Sequence, residues 1–314
     1  MALGPIEPTG GVIHVAAPDF EAELAAELGR AGSRLVPNGR LFRAPSAEPR
    51  PVWAVNTWLD PVRVHFDSIS DAATALLGLG RRWAHHATTL HRRAALIADK
   101  LPRVAFPPLV FPSPAPSGPL GSWALVGPNE IVASARCTSP FPDGEIRFVE
   151  DHENPPSRAY LKLWEAFTVA GRRPKPGDRC VDLGSSPGGW TWALERLGAR
   201  VISVDKAPID ARLTRLTRVR YVKDSAFAVD PAKVGRVDWL VSDVICYPAR
   251  SLSLVERWLA SHPRASFVVT IKLQGETDPA PLSDLAAIEH ATLIHLPHNK
   301  HELTWIRLGP ADPA

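Results

Sequence analysis

Residues 181–190 read Val-Asp-Leu-Gly-Ser-Ser-Pro-Gly-Gly-Trp, a short apolar run that ends near an aspartate and opens into three glycines. Residues of these types hold a ligand: glycine lets the backbone approach it closely, and the start of the helix that follows offers amide groups. The spacing is neither Gly-x-Gly-x-x-Gly nor the Gly-Lys-Ser/Thr of a triphosphate loop, so neither a pyrophosphate nor a triphosphate is the natural guest. Asp205 stands about twenty residues past the turn, at the end of the next apolar run, where a carboxylate can accept both hydroxyls of a ribose. A nucleoside without a polyphosphate is the better match, which favours S-adenosylmethionine. Asp224, Asp243 and Lys272 close later apolar runs, and strand ends are where α/β sites are built.

The elements that must position these residues are legible around them. Residues 180–183, 201–204, 219–222, 237–241 and 267–271 are short apolar runs of strand type. Helical spacing at 191–197, 252–260 and 282–290 completes βα units, which predict a parallel sheet covered on both faces. Two more strands, 292–296 and 303–308, are close enough in sequence for an antiparallel hairpin at the sheet edge. Ahead of the sheet, Ala159, Leu163, Ala166, Phe167 and Ala170 share a helical face that Ser157 is placed to cap, with Lys162 off the seam.

The first 145 residues follow another pattern. Strand-type runs at 11–16, 52–58 and 62–66, a helix over 20–28 that stops at Gly29, and a helix beginning over 70–77 predict an α+β domain. Residues 81–100 are expected as one longer helix with Arg81, Arg82, His85, His86, His91, Arg92 and Arg93 beside an apolar seam of Trp83, Leu90, Ala94 and Ile97. As a group, those basic residues could meet phosphate. Seven prolines in 102–119 rule out a continuous helix and predict an extended linker or long loop. Residues 123–135 return as two short strands, and a further Pro/Gly passage at 139–144 sets the expected boundary near residue 145, giving domains 1–145 and 146–314.

Composition narrows the class. A chain of 314 residues with 45% hydrophobic content can bury one large or two medium cores. The net charge of +3 permits a nucleic-acid partner without demanding one, and its whole excess lies beyond residue 145, because the first part carries thirteen basic and thirteen acidic side chains. No apolar run approaches the roughly 18 residues of a membrane span, and the N-terminus does not read as a signal peptide, so a cytoplasmic protein is expected. Cys137, Cys180 and Cys246 are odd in number and dispersed, which fits neither a disulfide framework nor a structural zinc.

Taken with its flanks, Asp-Leu-Gly-x-x-Pro-Gly-Gly-Trp resembles the corresponding motif of the FtsJ/RrmJ-like RNA ribose 2′-O-methyltransferases. Ser157-Arg-Ala-Tyr-Leu-Lys-Leu, Val-Ser-Asp243, Ile-Lys272-Leu-Gln-Gly-Glu and Glu302-Leu-Thr-Trp look like the family's other motifs, in order, over roughly residues 140–308. Ser139-Pro-Phe-Pro and the proline-rich approach to it are similar to the RlmM type, which methylates a cytidine ribose of large-subunit ribosomal RNA and carries a THUMP-containing N-terminal region. The resemblance implies a class I S-adenosylmethionine-dependent methyltransferase fold, Rossmann-like with a mostly parallel seven-stranded sheet, for 146–314. For 1–145 it implies a THUMP-like, RNA-binding α+β domain. It further implies S-adenosylmethionine as cofactor, RNA as partner, ribosomal RNA first, and no metal. Carried over by position, it makes Lys162, Asp243, Lys272 and Glu302 a catalytic Lys-Asp-Lys-Glu set. The cofactor contacts become Ser157, Gly184, Ser186, Pro187, Gly188, Gly189, Trp190, Asp205, Asp224 and Asp243. Ser185 and Ser186 depart from the small or cysteine pair usual in that turn.

Methyl transfer from a sulfonium to a ribose hydroxyl is an in-line displacement in which oxygen must lose a proton. A lysine takes that proton only as a neutral amine, which burial and a second lysine favour and nearby carboxylates oppose; the sequence leaves this balance open. Other constellations offer less. His295, His298 and His301 are spaced by three but lack a completing Cys or carboxylate pair, and are expected to be solvated or RNA-facing. Cys246 lacks the Pro-Cys or Thr-Cys context of a cytosine-C5 nucleophile and reads as a packed thiol, and no Asn-Pro-Pro-Tyr follows the fourth strand to grip a flipped base. Arg212, Arg215, Arg218, Arg220 and Lys223 form a cationic run that is either a solvated face or a set of phosphate contacts beside the active-site mouth. A small-molecule methyltransferase would need neither a separate N-terminal domain nor two lysines, and a non-catalytic RNA-binding protein would not need the intact set.

Overall fold

The computed structural model describes residues 5–273 and 278–310, so Gln274, Gly275 and Glu276 of the Ile-Lys272 motif lie outside the described residues. The chain forms two compact units, Met1–Leu109 with Ala115–Arg147, and Val110–Pro114 with Phe148–Ala314. The proline-rich stretch is divided between them, Val110–Pro114 belonging to the second unit and its flanks to the first. Within the second unit Phe111 stacks on Trp164 with ring centroids 4.6 Å apart, an apolar seat that an extended, proline-stiffened segment can reach without secondary structure.

The first unit is α+β. One five-stranded sheet runs Ile6–Pro8, Val62–His65, Glu130–Ser134, Gly121–Gly127, Trp83–His85, and the other runs Arg136–Cys137, Ala54–Leu59, Val12–Ala16, Leu41–Ala44, Ser33–Arg34. The sheets share a core in which Ile13, Val15 and Trp58 of one meet Ala124 and Val132 of the other. The helices Ile69–Leu79 and His91–Ala98 bury Leu76, Ala94 and Ile97 against Val64 and Trp123. Ser68 begins the first of these with a capping box to Asp71, a Ser-x-x-Asp signal present in the sequence.

Residues 81–100 are not one helix. Trp83–His85 is an edge strand parallel to Gly121–Gly127, and Leu90, at φ 58°, breaks the backbone before the helix His91–Ala98. The cause is tertiary: Trp83 is 6% exposed and its indole N–H reaches the carbonyls of Leu76 and Gly80, so burial and sheet pairing override helical spacing. The basic residues consequently part company. His86 is buried against Asp143, Arg93 bonds Asn129, and only Arg81, Arg82, His91 and Arg92 are exposed.

The second unit is built on one seven-stranded sheet. In chain order its elements are α1 (Tyr160–Ala170), β1 (Arg179–Leu183), α2 (Gly189–Arg196), β2 (Arg200–Asp205), α3 (Ala211–Thr214), β3 (Val219–Lys223), β4 (Trp239–Ser242), α4 (Pro248–Ser261), β5 (Ser266–Lys272), α5 (Ala280–Ala287), β6 (Ala291–Ile294) and β7 (Glu302–Arg307). The strand order is β3-β2-β1-β4-β5-β7-β6. The first five strands are parallel and β7 is antiparallel to both its neighbours, so the expected hairpin places β7 inside the sheet and β6 at its edge. Val181, Leu183, Leu240, Val241, Phe267 and Val268 are all buried, as continuous apolar strands covered on two faces require. The order reverses between β1 and β4, and a crevice opens at the carboxyl ends of two strands whose connections leave in opposite directions.

Ser157 does not cap α1. The helix starts after Ala159 with no side-chain cap, because Ser157 and Arg158 lie in a turn, and Ser157 Oγ is buried without a partner. Among the described residues no helix is long and apolar enough to cross a membrane.

Candidate active site

The crevice is shaped by the turn after β1. Gly184 has φ 77°, and a Cβ there would meet Val244 at 2.5 Å, so only glycine lets this turn lie against the segment leaving β4. Gly188, at φ 115°, supplies the left-handed backbone that starts α2. Beneath the turn lies a buried polar chain: Thr191 Oγ1 is 2.6 Å from Asp182 Oδ2 and 2.9 Å from Ser203 Oγ, which is 2.8 Å from Ser185 Oγ. Complete burial is the main cause that pushes the Asp182 carboxyl up to about 7, with Asp243 and Asp205 adding to it and the Thr191 hydrogen bond opposing.

A cavity of about 380 Å³ opens beside the turn, lined in part by Gly184, Ser186, Asp205, Ser225, Phe227, Asp243 and Arg250. Asp205, the last residue of β2, accepts the Ser186 amide at 3.0 Å on Oδ2 and the Ala207 amide at 2.8 Å on Oδ1. Each oxygen keeps a second lone pair, so the fixed carboxylate can still receive ribose hydroxyls. Arg250 lies 3.7 Å over the Phe227 ring and closes one wall. Val244, Ile245, Phe227 and Arg250 escaped sequence reasoning; the one signal is that the first three lie within a few residues of a strand end and Arg250 in the first turn of the helix after β4.

Other expected contacts stand around the cavity without lining it. Asp224 is exposed and accepts the Ser225 amide, while its neighbours Ser225, Ala226 and Phe227 face the space. Trp190 is 3% exposed and donates its indole N–H to Ala159, tying α2 to the start of α1. Pro187, Gly188 and Gly189 form the back of the turn, where a Cβ on Gly189 would strike Ser157 Oγ at 2.5 Å. Asp182 Oδ1 and Ser157 Oγ are both buried without partners, one under the turn and one behind it.

At the rim four charged side chains close into a ring. Lys162 Nζ lies 2.9 Å from Asp243 Oδ2 and 2.8 Å from Glu302 Oε1; Lys272 Nζ lies 2.5 Å from Asp243 Oδ1 and also bonds Glu302 Oε2. The fold dictates the meeting. Lys272 ends β5 and Glu302 begins β7, directly opposite it in the antiparallel ladder; Asp243 follows β4, and Lys162 reaches in from the first turn of α1. Thr270 Oγ1, 2.6 Å from Asp243 Oδ1, fixes that carboxylate from the same strand as Lys272.

The ring is electrically balanced and half-hidden, with side-chain exposures of 7% for Glu302 and 15–19% for the others. Burial acts to lower Lys162, but Asp243 and Glu302 outweigh it and hold the ammonium above its usual range. Burial acts to raise Asp243, and Lys162 and Lys272 outweigh it to hold the carboxylate below the usual range. For Lys162 the carboxylates therefore win the balance that spacing left open. Each Nζ directs two of its positions at carboxylates, leaving the third, an N–H on an ammonium or a lone pair on a neutral amine, for a hydroxyl.

The remaining candidates fall away from this edge. His295 is buried, with Nε2 on the Lys300 carbonyl, and burial lowers its pKa; His298 Nδ1 lies 2.7 Å from buried Glu165. Those two histidines are parts of the packed loop before β7 and not the solvated groups expected. Among the described residues no group of His, Cys, Asp or Glu could hold a metal ion. Cys246 is buried 3.2 Å from Ser251 Oγ. The cationic run divides: Arg212 pairs with Asp210, whereas Arg218 and Arg220 lie at the amino end of β3, across the sheet from the cavity.

The FtsJ-like methyltransferase family model matches residues 155–277, which include Lys162, the glycine turn, Asp205, Asp243 and Lys272. The chain is 33% identical over 233 residues to the ribosomal RNA large subunit methyltransferase M of Laribacter hongkongensis, covering 66% of this chain and 65% of that protein. It is 30% identical over 275 residues to the protein of the same name from Halorhodospira halophila, covering 83% and 73%. With that of Cellvibrio japonicus the identity is 38% over 159 residues, covering 49% and 43%. The matched stretch is thus under two thirds of the relative's own length in two of these three.

Proposed function

The chain belongs to the FtsJ-like methyltransferases of the ribosomal RNA large subunit methyltransferase M family, and from that premise we propose that it transfers a methyl group from S-adenosylmethionine to a ribose 2′-hydroxyl of large-subunit ribosomal RNA. The observation that carries the reading is the double membership of Asp243, which lines the nucleoside-sized cavity and closes the ring with both lysines. Binding space and proton chemistry are thereby joined through one side chain.

The cavity suits this cofactor by its donor set: a fixed carboxylate on β2, a glycine turn with free backbone, and no cationic phosphate clamp in that turn. When bound, S-adenosylmethionine supplies an electrophilic methyl group. Asp205 would hold the ribose hydroxyls, and the edge formed by Ser225 to Phe227, closed by Arg250, would hold the base. On the ring side, Lys272 takes the 2′-hydroxyl proton as a neutral amine, or relays it by passing one of its own protons to Glu302 as the hydroxyl's proton arrives; Lys162 is the ammonium that keeps the two carboxylates in place, and Asp243 and Glu302 orient both amines. The first unit, with the exposed Arg81, Arg82, His91 and Arg92, serves as the THUMP-like RNA-binding domain that selects the target.

The test is direct. Protein-free large-subunit ribosomal RNA is incubated with the protein and S-adenosylmethionine, digested, and analysed by mass spectrometry for 2′-O-methylnucleosides. The expected product is one new ribose methylation, absent with Lys272→Ala, while calorimetry shows cofactor binding retained. A methylated base, or no RNA product with intact cofactor binding, sinks the proposal.

A further inference from the structure

The amino ends of the same strands carry a second charged assembly. Arg179, the first residue of β1, is the register partner of Arg200, the first residue of β2. Arg218 immediately precedes Val219, the partner of Val201, and its carbonyl accepts the Val201 amide, so Arg218 stands beside Arg200. Three arginines thus lie in one row across three adjacent strands about 4.8 Å apart. Arg220, two residues on from Arg218, shares its face. Arg236, from the segment before β4, completes five arginines around one cavity of about 530 Å³.

Like charges placed opposite each other on neighbouring strands repel, and a fold does not gain by lining them up. Carboxylates answer only part of the charge. Glu195 pairs with Arg218, and Asp238 pairs with Arg236 and accepts the Arg179 backbone amide. Asp178 is close by and accepts the Lys175 amide. Among the described residues, the guanidinium groups of Arg179, Arg200 and Arg220 have no carboxylate within ion-pair distance. All five arginines are exposed. Solvated lysines would serve solubility as well, whereas planar guanidinium groups in a row offer paired donors to the oxygens of successive phosphates.

The geometry points to a second RNA site: the arginine groove at the amino ends of β1, β2 and β3 binds backbone phosphates of the substrate RNA, away from the nucleotide being methylated. The inference rests on the proposed RNA substrate and deepens it. Arg200 and Asp205 bound the same strand, so groove and cofactor cavity are about 16 Å apart, too far for one nucleotide and within reach of one folded RNA. Edge strand β3 joins them, presenting exposed Arg220 near one end and exposed Lys223 at the other.

The test compares full-length wild type with the triple variants Arg179→Ala/Arg200→Ala/Arg220→Ala and Arg179→Lys/Arg200→Lys/Arg220→Lys, none of these residues belonging to the cavity or ring. Binding to protein-free large-subunit ribosomal RNA is measured across a salt series, with S-adenosylmethionine affinity and thermal melting as checks on the fold. The alanine variant should bind RNA at least tenfold more weakly, with a plot of log affinity against log salt shallower by about 2, as expected when three phosphate contacts are lost. Its cofactor affinity should be unchanged, and the lysine variant should keep the wild-type slope. Unchanged RNA affinity and slope in the alanine variant overturns the inference. So does a groove that binds inorganic triphosphate through these arginines while RNA binding ignores them. Wild-type protein that binds RNA through the groove yet methylates none would instead refute the proposed function and leave the groove standing.

Discussion

The two ends of one parallel sheet treat charge in opposite ways. At the carboxyl ends, two lysines and two carboxylates alternate in a ring in which every charged group touches both of its opposites, at side-chain exposures of 7–19%. At the amino ends, five exposed arginines face one groove, and three of them have no carboxylate within ion-pair distance among the described residues. A neutral, half-buried ring holds its amines in fixed positions and suits proton transfer. An unbalanced, open row suits an anion that arrives from solution. The contrast teaches that a cluster of basic residues acquires its meaning from the acids the fold brings to it.

The largest effect should come from breaking the ring at Lys272, its proposed proton acceptor. Lys272→Arg keeps charge and hydrogen bonding but cannot give up its proton in a protein, so single-turnover methylation should fall by about 10² to 10⁴ with cofactor affinity preserved. A near-normal rate would make Lys272 a positioning cation and overturn its assigned role.

A second effect belongs to Asp182, under the glycine turn between the two ends. Its folded-state pKa is raised to about 7, so the folded protein retains a proton that the unfolded chain has lost. Stability from this group therefore falls as pH rises from the ordinary aspartate range to about 7, by up to roughly 4 kcal/mol. Melting of Asp182→Asn from pH 4 to 8 should show a flatter profile than wild type. Parallel profiles would remove Asp182 as the source.

Glu302→Gln leaves two ammonium groups with one carboxylate and should cost about 2 to 3 kcal/mol in urea unfolding at neutral pH, below the full penalty for a deeply buried pair. The ring's own pH limits follow from its shifts. Lys162 is raised, so its contribution is full below the ordinary lysine pKa and lost as pH climbs through the higher folded value. Asp243 is lowered, so its contribution is full above the ordinary aspartate pKa and lost as pH drops through the lower folded value. The ring should hold throughout the neutral range, and a Glu302→Gln deficit that vanishes at pH 7 would show the pairing to be energetically idle.

The smallest effect sharpens the contrast from the other end. Arg200→Ala without RNA should leave stability unchanged or raise it by about 0.2 to 0.5 kcal/mol, since it relieves repulsion within the row. A clear loss in a urea titration would mean that the row is held by contacts with carboxylates after all.

Much of the second unit was legible before folding because its signals are local. Apolar runs of strand length predicted β1 to β5, and a glycine turn followed by Asp205 marked the cavity, since a buried parallel strand and a tight turn constrain composition at the residues that form them. Motif order named Lys162, Asp243, Lys272 and Glu302 through family resemblance. The failures are where tertiary demands outweighed local ones. Burial of Trp83 cut the expected helix over 81–100, and a turn displaced Ser157 from its cap.

By itself, then, the sequence determined the alphabet of the site: which side chains could bind a nucleoside, which could move a proton, and which strand ends would carry them. Only the tertiary structure decided who meets whom. Glu302 faces Lys272 because β7 inserts antiparallel beside β5, and Arg179, Arg200 and Arg218 line up because β1, β2 and β3 pair in parallel register. Such pairings join residues about 20 or 30 positions apart, and whether a charge is answered or left open depends on that register, which no stretch of sequence contains alone.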